Sequence, residues 1–179
     1  DLDLYELSTD ETIDYVRTGK CDLGLVSMSE TDPQLSARVV YAQPLALACA
    51  PQHPLVRHKR ITWGAISDFE HVTLRSVYST RRTVDRILKA QGLELRSTIQ
   101  AGTLATALGL VKANAGVTLI PGYACQFAID LGLKVLTISE EEPYLHELSL
   151  LTRKGLRPSI AAEAFIEQLD GTFSHLTSR

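Results

Sequence analysis

The sequence contains few of the residues that indicate a metal site or a redox centre. Its three cysteines, Cys21, Cys49 and Cys125, lie far apart and form no CxxC pair. Their number and spacing favour reduced thiols in a cytoplasmic protein and leave open one disulfide with one free thiol. The five histidines show no ligand spacing with cysteines or carboxylates. The sequence therefore predicts no metal site and no bound cofactor.

Common catalytic motifs are missing as well. The chain has no GxGxxG fingerprint, no Walker loop, no HExxH and no GxSxG elbow, so none of the sites that these motifs build is predicted. His146 beside Glu147 is weak evidence for acid–base chemistry, because adjacent residues of a strand face opposite ways. His53 and His58 lie in a polar connector and are expected to be solvated. We predict that the chain is not an enzyme.

Membrane segments and excess positive charge are also absent. No apolar run is long enough to span a bilayer, and no signal peptide is visible. The formal net charge of −3 argues against this segment binding a phosphate backbone by itself. With 179 residues, 45% hydrophobic and 22% charged, the composition is that of one globular domain or two small lobes. We expect a cytoplasmic protein with no membrane partner.

Strand and helix patterns alternate along the chain, which predicts an α/β fold. Residues 2–7 alternate in character and predict a strand. Residues 8–19 predict a helix that begins with the capping-box spacing of Ser8 and Glu11 and ends at a glycine. Residues 21–28 predict a buried parallel strand. Two further extended pieces follow before a connector of prolines and basic residues.

The same order returns twice after the connector at residues 51–60. A strand at 71–76 leads into a helix that stops before Gly92, and a strand at 95–102 leads into a helix that begins at Thr103. A buried strand, a short helix and an acidic turn at 140–142 come before the last strand. The closing helix is expected to face the core with four apolar residues, Ile160, Ala164, Phe165 and Leu169.

Hydroxyl residues stand where predicted strands give way to helices. These are Ser8 and Thr9, Ser79 and Thr80, and Thr103, and Ser27 follows a buried strand. A helix N-terminus carries free N–H groups and partial positive charge, so hydroxyls there help to hold a carboxylate or similar anion. Most such hydroxyls only cap their own helix. They predict a binding site only if the helix starts converge. Arg81 would then be a natural partner for the anion. The role of Tyr78 is left open between ligand stacking and packing.

Four segments, in this order, resemble the effector-binding domain of LysR-type transcriptional regulators. They are "LYELSTDETIDYVRTGKCDLGLV" (4–26), "PLALACAPQHPL" (44–55), "TLATALGLVKANAGVTLIPGYA" (103–124) and "ELSLLTRKGLRPSIAAEAFIEQL" (147–169). The likeness extends over nearly all of the chain. It implies two Rossmann-like lobes joined by two crossover strands, as in type II periplasmic binding proteins. Lobe I would hold residues 1–48 and 146–179 and be incomplete at its N-terminus, and lobe II would hold residues 49–145.

The resemblance also implies where a small effector would bind, between the lobes. Ser8 and Thr9 would form one wall, with Ser8 capping its helix while Thr9 reaches the ligand, and Ser27 would lie near the cleft floor. The remaining positions fall in lobe II. They are Ser79, Thr80 and Arg81 on the hinge-side loop, and Thr103 and Leu104 at the other helix start.

The implied function is effector sensing and dimerisation in a transcription factor. The effector would be a small carboxylate or other anion, the assembly a homodimer or tetramer, and DNA would be bound only through an N-terminal helix-turn-helix domain that this segment lacks. The segment begins where the second strand of lobe I is expected, so we expect further residues upstream or another segment that fills the gap. The alternative is a solute-binding protein of the type II periplasmic-binding class.

Overall fold

The computed structural model describes residues 2–27, 32–140 and 143–177 and divides the chain into two units. The first unit contains residues 1–42 and 147–179, and the second contains residues 43–146. The chain passes from one unit to the other twice. The first passage is along strand β2 (Leu35–Pro44), and the second is along strand β8 (Leu145–Arg153).

The first unit begins with the predicted helix, α1 (Thr9–Thr18), whose ends are set by local sequence. The Ser8 hydroxyl accepts a hydrogen bond from the Glu11 backbone N–H, and the Glu11 carboxylate accepts from the Ser8 N–H and hydroxyl at 2.9 and 2.6 Å. These bonds hold the pKa of Glu11 below its usual value. Gly19 ends the helix with a left-handed φ of 78°. The predicted capping box and stop are confirmed.

Replacing Ser8 by alanine should lower the free energy of unfolding by about 1 kcal/mol, because the Glu11 N–H loses its acceptor and the Glu11 carboxylate loses the Ser8 hydroxyl. Urea unfolding monitored by circular dichroism measures this loss. Ser8→Thr, which retains a capping hydroxyl, is the matched control and should stay close to the wild type. Equal stability of Ser8→Ala and the wild type would show that the box contributes nothing.

The sheet of the first unit has three strands in the order β1-β8-β2, with β1 at Gly24–Val26. β1 runs antiparallel to β8 and pairs Leu25 with Leu150. The predicted parallel strand is therefore wrong in direction. It is also buried on one face only, since Leu25 is exposed. Met28 of that segment lies outside the described residues, as do Glu141 and Glu142 of the predicted acidic turn.

Residues 2–7 do not form the predicted strand. Leu4 is 82% exposed, and Tyr5 packs edge-on against Tyr15 with ring centroids 5.8 Å apart. Alternation marks a face that could join a sheet, but a strand forms only where a neighbour offers backbone hydrogen bonds. No strand in the described part of the chain pairs with this segment.

The closing helix, α6 (Ile160–Thr177), presents a different face from the one predicted. Ile160 is 87% exposed, Ala164 and Phe165 are exposed too, and of the four predicted positions only Leu169 is half-buried. Contacts with β2 set the rotation. The Phe173 ring packs on Tyr41 at 5.6 Å, and Asp170 forms an ion pair with Arg38. Helical spacing allowed more than one apolar stripe on α6. The contacts with β2 bury a stripe other than the predicted one.

The second unit contains five strands, β3 to β7. In chain order they are Ala46–Cys49, Glu70–Leu74, Arg96–Ala101, Thr118–Ile120 and Lys134–Thr137. β6, β3 and β7 form an antiparallel sheet in that order, and β4 pairs with β5 in parallel. A parallel bridge between His71 and Val117 connects β4 to β6.

Four α-helices of the described residues accompany these strands, and the last three lie close to where the sequence predicts them. They are α2 (Trp63–Ser67), α3 (Ser79–Gln91), α4 (Leu104–Lys112) and α5 (Cys125–Asp130). Short 3₁₀ turns lie at Pro54–Arg57 and Gly122–Ala124. Gly92 ends α3 with a left-handed φ of 67°.

Apolar residues are packed on both faces of β3. Leu47 and Cys49 belong to a cluster with α3 residues such as Ile87, whereas Ala46 and Ala48 belong to a cluster with α4 and α5. Because both faces are covered, β3 is an uninterrupted apolar run. The core of the second unit therefore has helices on each side of a sheet.

The connector at 51–60 is only partly a surface segment. His58 is exposed as expected, but Leu55 is fully buried. His53 is not fully solvated, because its Nδ1 accepts a hydrogen bond from the Leu55 N–H and its ring packs on Phe69 at 5.0 Å. Burial lowers the pKa of His53.

Candidate functional site

Three strands of the second unit end at one edge, and a helical segment starts after each. β4 and β5 are parallel, and β6 bridges to β4 in parallel, so their carboxyl ends lie together. β4 leads to α3, β5 to α4, and β6 to the turn at Gly122–Ala124. Ligands of open α/β sheets characteristically bind at the carboxyl ends of the strands. The candidate site of this unit is therefore at this edge.

Tyr78 connects the first two of these helix starts. It is the N-terminal boundary residue of α3, and its hydroxyl donates a hydrogen bond to the Gly102 carbonyl, 2.5 Å away, in the loop before α4. Its ring packs against the apolar cluster that contains Ala46, Ala48 and residues of α4 and α5. Of the two interpretations left open for Tyr78, packing is therefore observed.

The first turn of α3 has no side-chain cap. Ser79 and Thr80 were expected to supply it but are themselves the first two helical residues, because the helix begins one residue earlier than capping would require. In the described part of the chain, the backbone N–H groups of Ser79, Thr80 and Arg81 have no acceptor. This helix start is thus open to an anion.

Arg81 lies beside this open helix start. Its Nε donates to Asp85 at 2.7 Å and its Nη1 to the Leu74 carbonyl at 3.5 Å, and the side chain is 23% exposed. These contacts hold the guanidinium between α3 and the end of β4. Its positive charge adds to the helix N-terminus in favouring an anion.

The start of α4 is capped as predicted. The Thr103 hydroxyl accepts a hydrogen bond from the Thr106 N–H at 3.2 Å and lies 3.0 Å from the Thr106 hydroxyl. Leu104 is half-buried against the apolar cluster. Thr103 is exposed, so its hydroxyl can meet a ligand while it caps the helix.

His146 is the functional candidate that sequence reasoning missed. It is 2% exposed, its Nε2 lies 3.3 Å from the Thr80 hydroxyl, and its ring packs edge-on against Tyr123 with centroids 6.3 Å apart. Burial lowers its pKa to about 4, so the ring is neutral at pH 7. Its Nδ1 is buried and has no hydrogen-bond partner in the described residues. Such a group destabilises a protein by about 1–3 kcal/mol until something pairs with it.

A signal for His146 was present in the strand pattern. His146, Leu148 and Leu150 alternate along β8 on one side, and Glu147 faces the other way and is exposed. That alternation places the imidazole on the inward face. The pattern could not reveal that Thr80, 66 residues earlier, would lie against it.

A small, partly open cavity of about 20 Å³ lies next to α3. Its lining includes Thr80, Arg81 and Val84 from α3, and polar side chains His71 and Thr73 from β4. That volume holds about one water molecule and is far below the range for small-molecule sites. His71 is committed elsewhere, since its Nε2 bonds the Ile66 carbonyl at 2.9 Å.

The remaining predicted residues belong to the first unit. Ser8 caps α1, Thr9 is 8% exposed, and Ser27 is half-buried just after β1. Among the described hydrogen bonds, none joins Ser27 to Ser8 or Thr9. The structure brings five of the eight predicted residues to one edge of the second unit, namely Ser79, Thr80, Arg81, Thr103 and Leu104.

The described ranges contain neither a metal-binding cluster nor a helix that could span a membrane. Within residues 2–27, 32–140 and 143–177, no three histidine, cysteine or acidic side chains are grouped so that they could hold a metal ion. Cys21, Cys49 and Cys125 are free thiols. None of the helices over these ranges combines the length and apolar character needed to cross a bilayer.

Comparison with known sequences gives a consistent set of relatives. A protein-family model described as LysR substrate binding domain matches residues 1–174. The chain is 26% identical over 167 residues to the uncharacterized HTH-type transcriptional regulator YbhD of Escherichia coli, which covers 93% of this chain and 52% of that protein. It is 28% identical over 128 residues to the Hca operon transcriptional activator HcaR of the same bacterium, covering 70% and 43%. The chain thus spans about half or less of these relatives.

Solved structures with the same fold include two effector-binding domains with ligands. The domain of QuiR in complex with shikimate has a TM-score of 0.79 at 20% identity, covering 94% of this chain and 79% of that one. The domain of BenM with its effector benzoate has a TM-score of 0.75 at 19% identity, covering 96% and 78%. These likenesses confirm the predicted α/β fold of the type II periplasmic-binding-protein class.

Proposed function

Because the chain belongs to the family of LysR substrate binding domains, we propose that it is the effector-sensing and dimerising part of a LysR-type transcriptional regulator. A small anionic metabolite binds it and thereby controls a helix-turn-helix DNA-binding domain elsewhere in the protein. The protein acts in the cytoplasm as a homodimer or tetramer. The relatives described above are named as transcriptional regulators, which supports this function over solute binding for transport.

The observation that carries the proposal is the pair of helix starts at one sheet edge. Tyr78 ties the α3 and α4 starts together, and the α3 start offers backbone N–H groups with no described acceptor. Free N–H groups, a helix dipole and the nearby Arg81 all favour a negatively charged group. Shikimate and benzoate, which occupy the related domains, are both carboxylates.

We assign eight residues to the effector site. In the second unit, the N–H groups and hydroxyls of Ser79 and Thr80, with Arg81, bind the anionic group, while Thr103 and Leu104 contact the rest of the molecule. Ser8, Thr9 and Ser27 of the first unit stay in the proposal as the sequence predicts them, with Ser8 capping α1.

Control of DNA binding requires that the effector bind two arrangements of the protein with different affinity. An effector with equal affinity for both arrangements would not change their relative populations, however tightly it bound.

A thermal-shift screen of metabolites tests the function. A specific ligand at a hundredfold excess over its dissociation constant stabilises the native protein by about 2.7 kcal/mol. We expect carboxylates to be the hits. A screen in which only cations or neutral compounds stabilise the protein would contradict an anion sensor.

Thr103→Val and Thr9→Ala should each weaken binding of the screened hit about tenfold, because each loses a hydroxyl that contacts the ligand. Isothermal titration calorimetry measures the change. Thr62→Val is the matched control, since Thr62 caps α2 by the same bond to the N–H three residues on. It should lose similar stability but bind normally. If Thr103→Val and Thr9→Ala both retain the wild-type affinity, the site assignment is wrong.

A further inference from the structure

We propose that His146 is a positioning residue of the effector site, which holds the first turn of α3 in place for the anion and ties that turn to strand β8. Anion binding at the start of α3 then acts on β8, the strand that runs on into the first unit. This inference rests on the proposed function and adds to it the residue that couples the site to the rest of the chain.

The first turn of α3 needs support from outside the helix. Tyr78 makes no side-chain cap bond, and the backbone N–H groups of Ser79, Thr80 and Arg81 have no acceptor in the described part of the chain. A helix start without a cap is less stable than a capped one. N–H groups bind a ligand tightly only when they already point at it, because ordering them on binding costs affinity. Another contact therefore has to fix this turn.

His146 supplies such a contact. Its Nε2 lies 3.3 Å from the hydroxyl of Thr80, the second residue of α3. Thr80 is 7% exposed and His146 is 2% exposed, so water competes little for either group, and a hydrogen bond in such surroundings is stronger than one in water. In each neutral tautomer of the ring one of the two atoms donates and the other accepts. The bond is therefore available whichever ring nitrogen carries the proton.

His146 also contacts a second helical segment of this sheet edge. The ring of Tyr123 packs edge-on against the imidazole with centroids 6.3 Å apart, and Tyr123 belongs to the turn Gly122–Ala124 that follows β6. Tyr78 joins the start of α3 to the loop before α4 through the Gly102 carbonyl. Tyr78 and His146 together thus connect all three helical segments that start at this edge.

The place of His146 in the chain gives these contacts a consequence beyond the site. It is the second residue of β8 and the last residue of the second unit. From residue 147 onwards β8 belongs to the first unit, where it is the central strand in the order β1-β8-β2. Coupling between two positions is reciprocal. An anion that orders the turn at Thr80 therefore also orders the start of β8.

Three substitutions of His146 test the bond to Thr80. Leucine is apolar and cannot bond the hydroxyl, asparagine is too short to reach it, and glutamine places its amide near the position of Nε2 and retains the bond. His71→Leu is the matched control, because His71 is a second buried histidine of the same unit whose Nε2 bonds the Ile66 carbonyl instead. Thermal unfolding establishes first which variants fold, and His146→Asn replaces His146→Leu if the latter does not.

Inorganic sulfate is the probe, because it needs only N–H groups and positive charge from the turn. Calorimetry should show that His146→Leu binds sulfate about fivefold more weakly than the wild type, a typical size for coupling between two positions. His146→Gln and His71→Leu should stay close to the wild-type affinity. Adding His146→Leu to Thr80→Val should cause no further loss, since the bond is already missing there.

Amide hydrogen exchange of residues 145–153 shows whether binding reaches β8. Saturating sulfate should slow exchange in this segment of the wild type and of His146→Gln, but not of His146→Leu. A role in stability alone would not give this pattern. His71→Leu should lose stability and yet retain the response of β8.

Four results would overturn the inference. They are wild-type affinity for sulfate in the folded leucine or asparagine variant, the same loss of affinity from His146→Leu with and without Thr80→Val, unchanged exchange of β8 in the wild type, and no binding of sulfate to the wild type. The broader proposal fails separately, and only if no anion in the full metabolite screen stabilises the protein.

Discussion

Replacing Gly116 by alanine is expected to lower the free energy of unfolding of the second unit by about 3 kcal/mol or more. Gly116 has a φ of 143°, a conformation that side chains rarely adopt, and an added Cβ would collide with the Glu70 backbone carbonyl. That carbonyl accepts the Val117 N–H at 2.9 Å. The backbone segments on both sides of this clash form the contact between β4 and β6. Neither segment can move away without breaking that contact.

Gly109→Ala is the matched control for this prediction. Gly109 lies inside α4, and apart from the helix itself no atom of the described residues comes within 4 Å of the place that an alanine Cβ would occupy. Alanine should therefore stabilise the helix by up to about 1 kcal/mol. Chemical unfolding of both variants and the wild type gives the comparison. Equal effects of the two substitutions would mean that β4 and β6 are not held together at Gly116.

Acid should destabilise the second unit well before its carboxylates are protonated. The pKa of His146 is about 4 in the folded protein and 6.5 in the unfolded chain. Below pH 6.5 the unfolded chain therefore binds a proton at His146, whereas the same ring in the folded protein stays neutral until the pH approaches 4. Stability is at its full value above pH 6.5 and falls as the pH decreases towards 4. Linkage gives a loss of about 2 kcal/mol at pH 5 and about 3 kcal/mol at pH 4.

Urea unfolding between pH 7 and pH 4 measures this loss, with His146→Gln as the control. The variant has no titrating group at that position, so its stability should fall more gently over the same interval. Some slope should remain, because burial also lowers the pKa of His71. Parallel pH profiles for the variant and the wild type would show that His146 is not the buried neutral group described above.

Features that depend on a few neighbouring residues were predictable from sequence. The spacing of Ser8 and Glu11 and the glycine that follows defined α1, because a cap acts within one turn. The second extended piece predicted before the connector corresponds to β3. Thr103 was recognised as a cap for the same local reason.

Features that depend on a distant partner were not predictable from sequence. The alternation at residues 2–7 could not show whether a neighbouring strand exists, and the apolar residues of α6 allowed more than one buried face. The bridge from Tyr78 to Gly102 joins loops 24 residues apart, and the Thr80–His146 bond spans 66. No local pattern contains that information.

The sequence by itself determined most of the strands and helices, the caps of α1 and α4 and the family to which the chain belongs, because hydrophobic periodicity and capping are properties of short segments. The tertiary structure alone decided which helix starts share an edge, that α3 is left without a cap, and that a neutral histidine is buried against its first turn. These depend on parallel strands returning to one edge of a sheet and on burial, which only the packed chain creates.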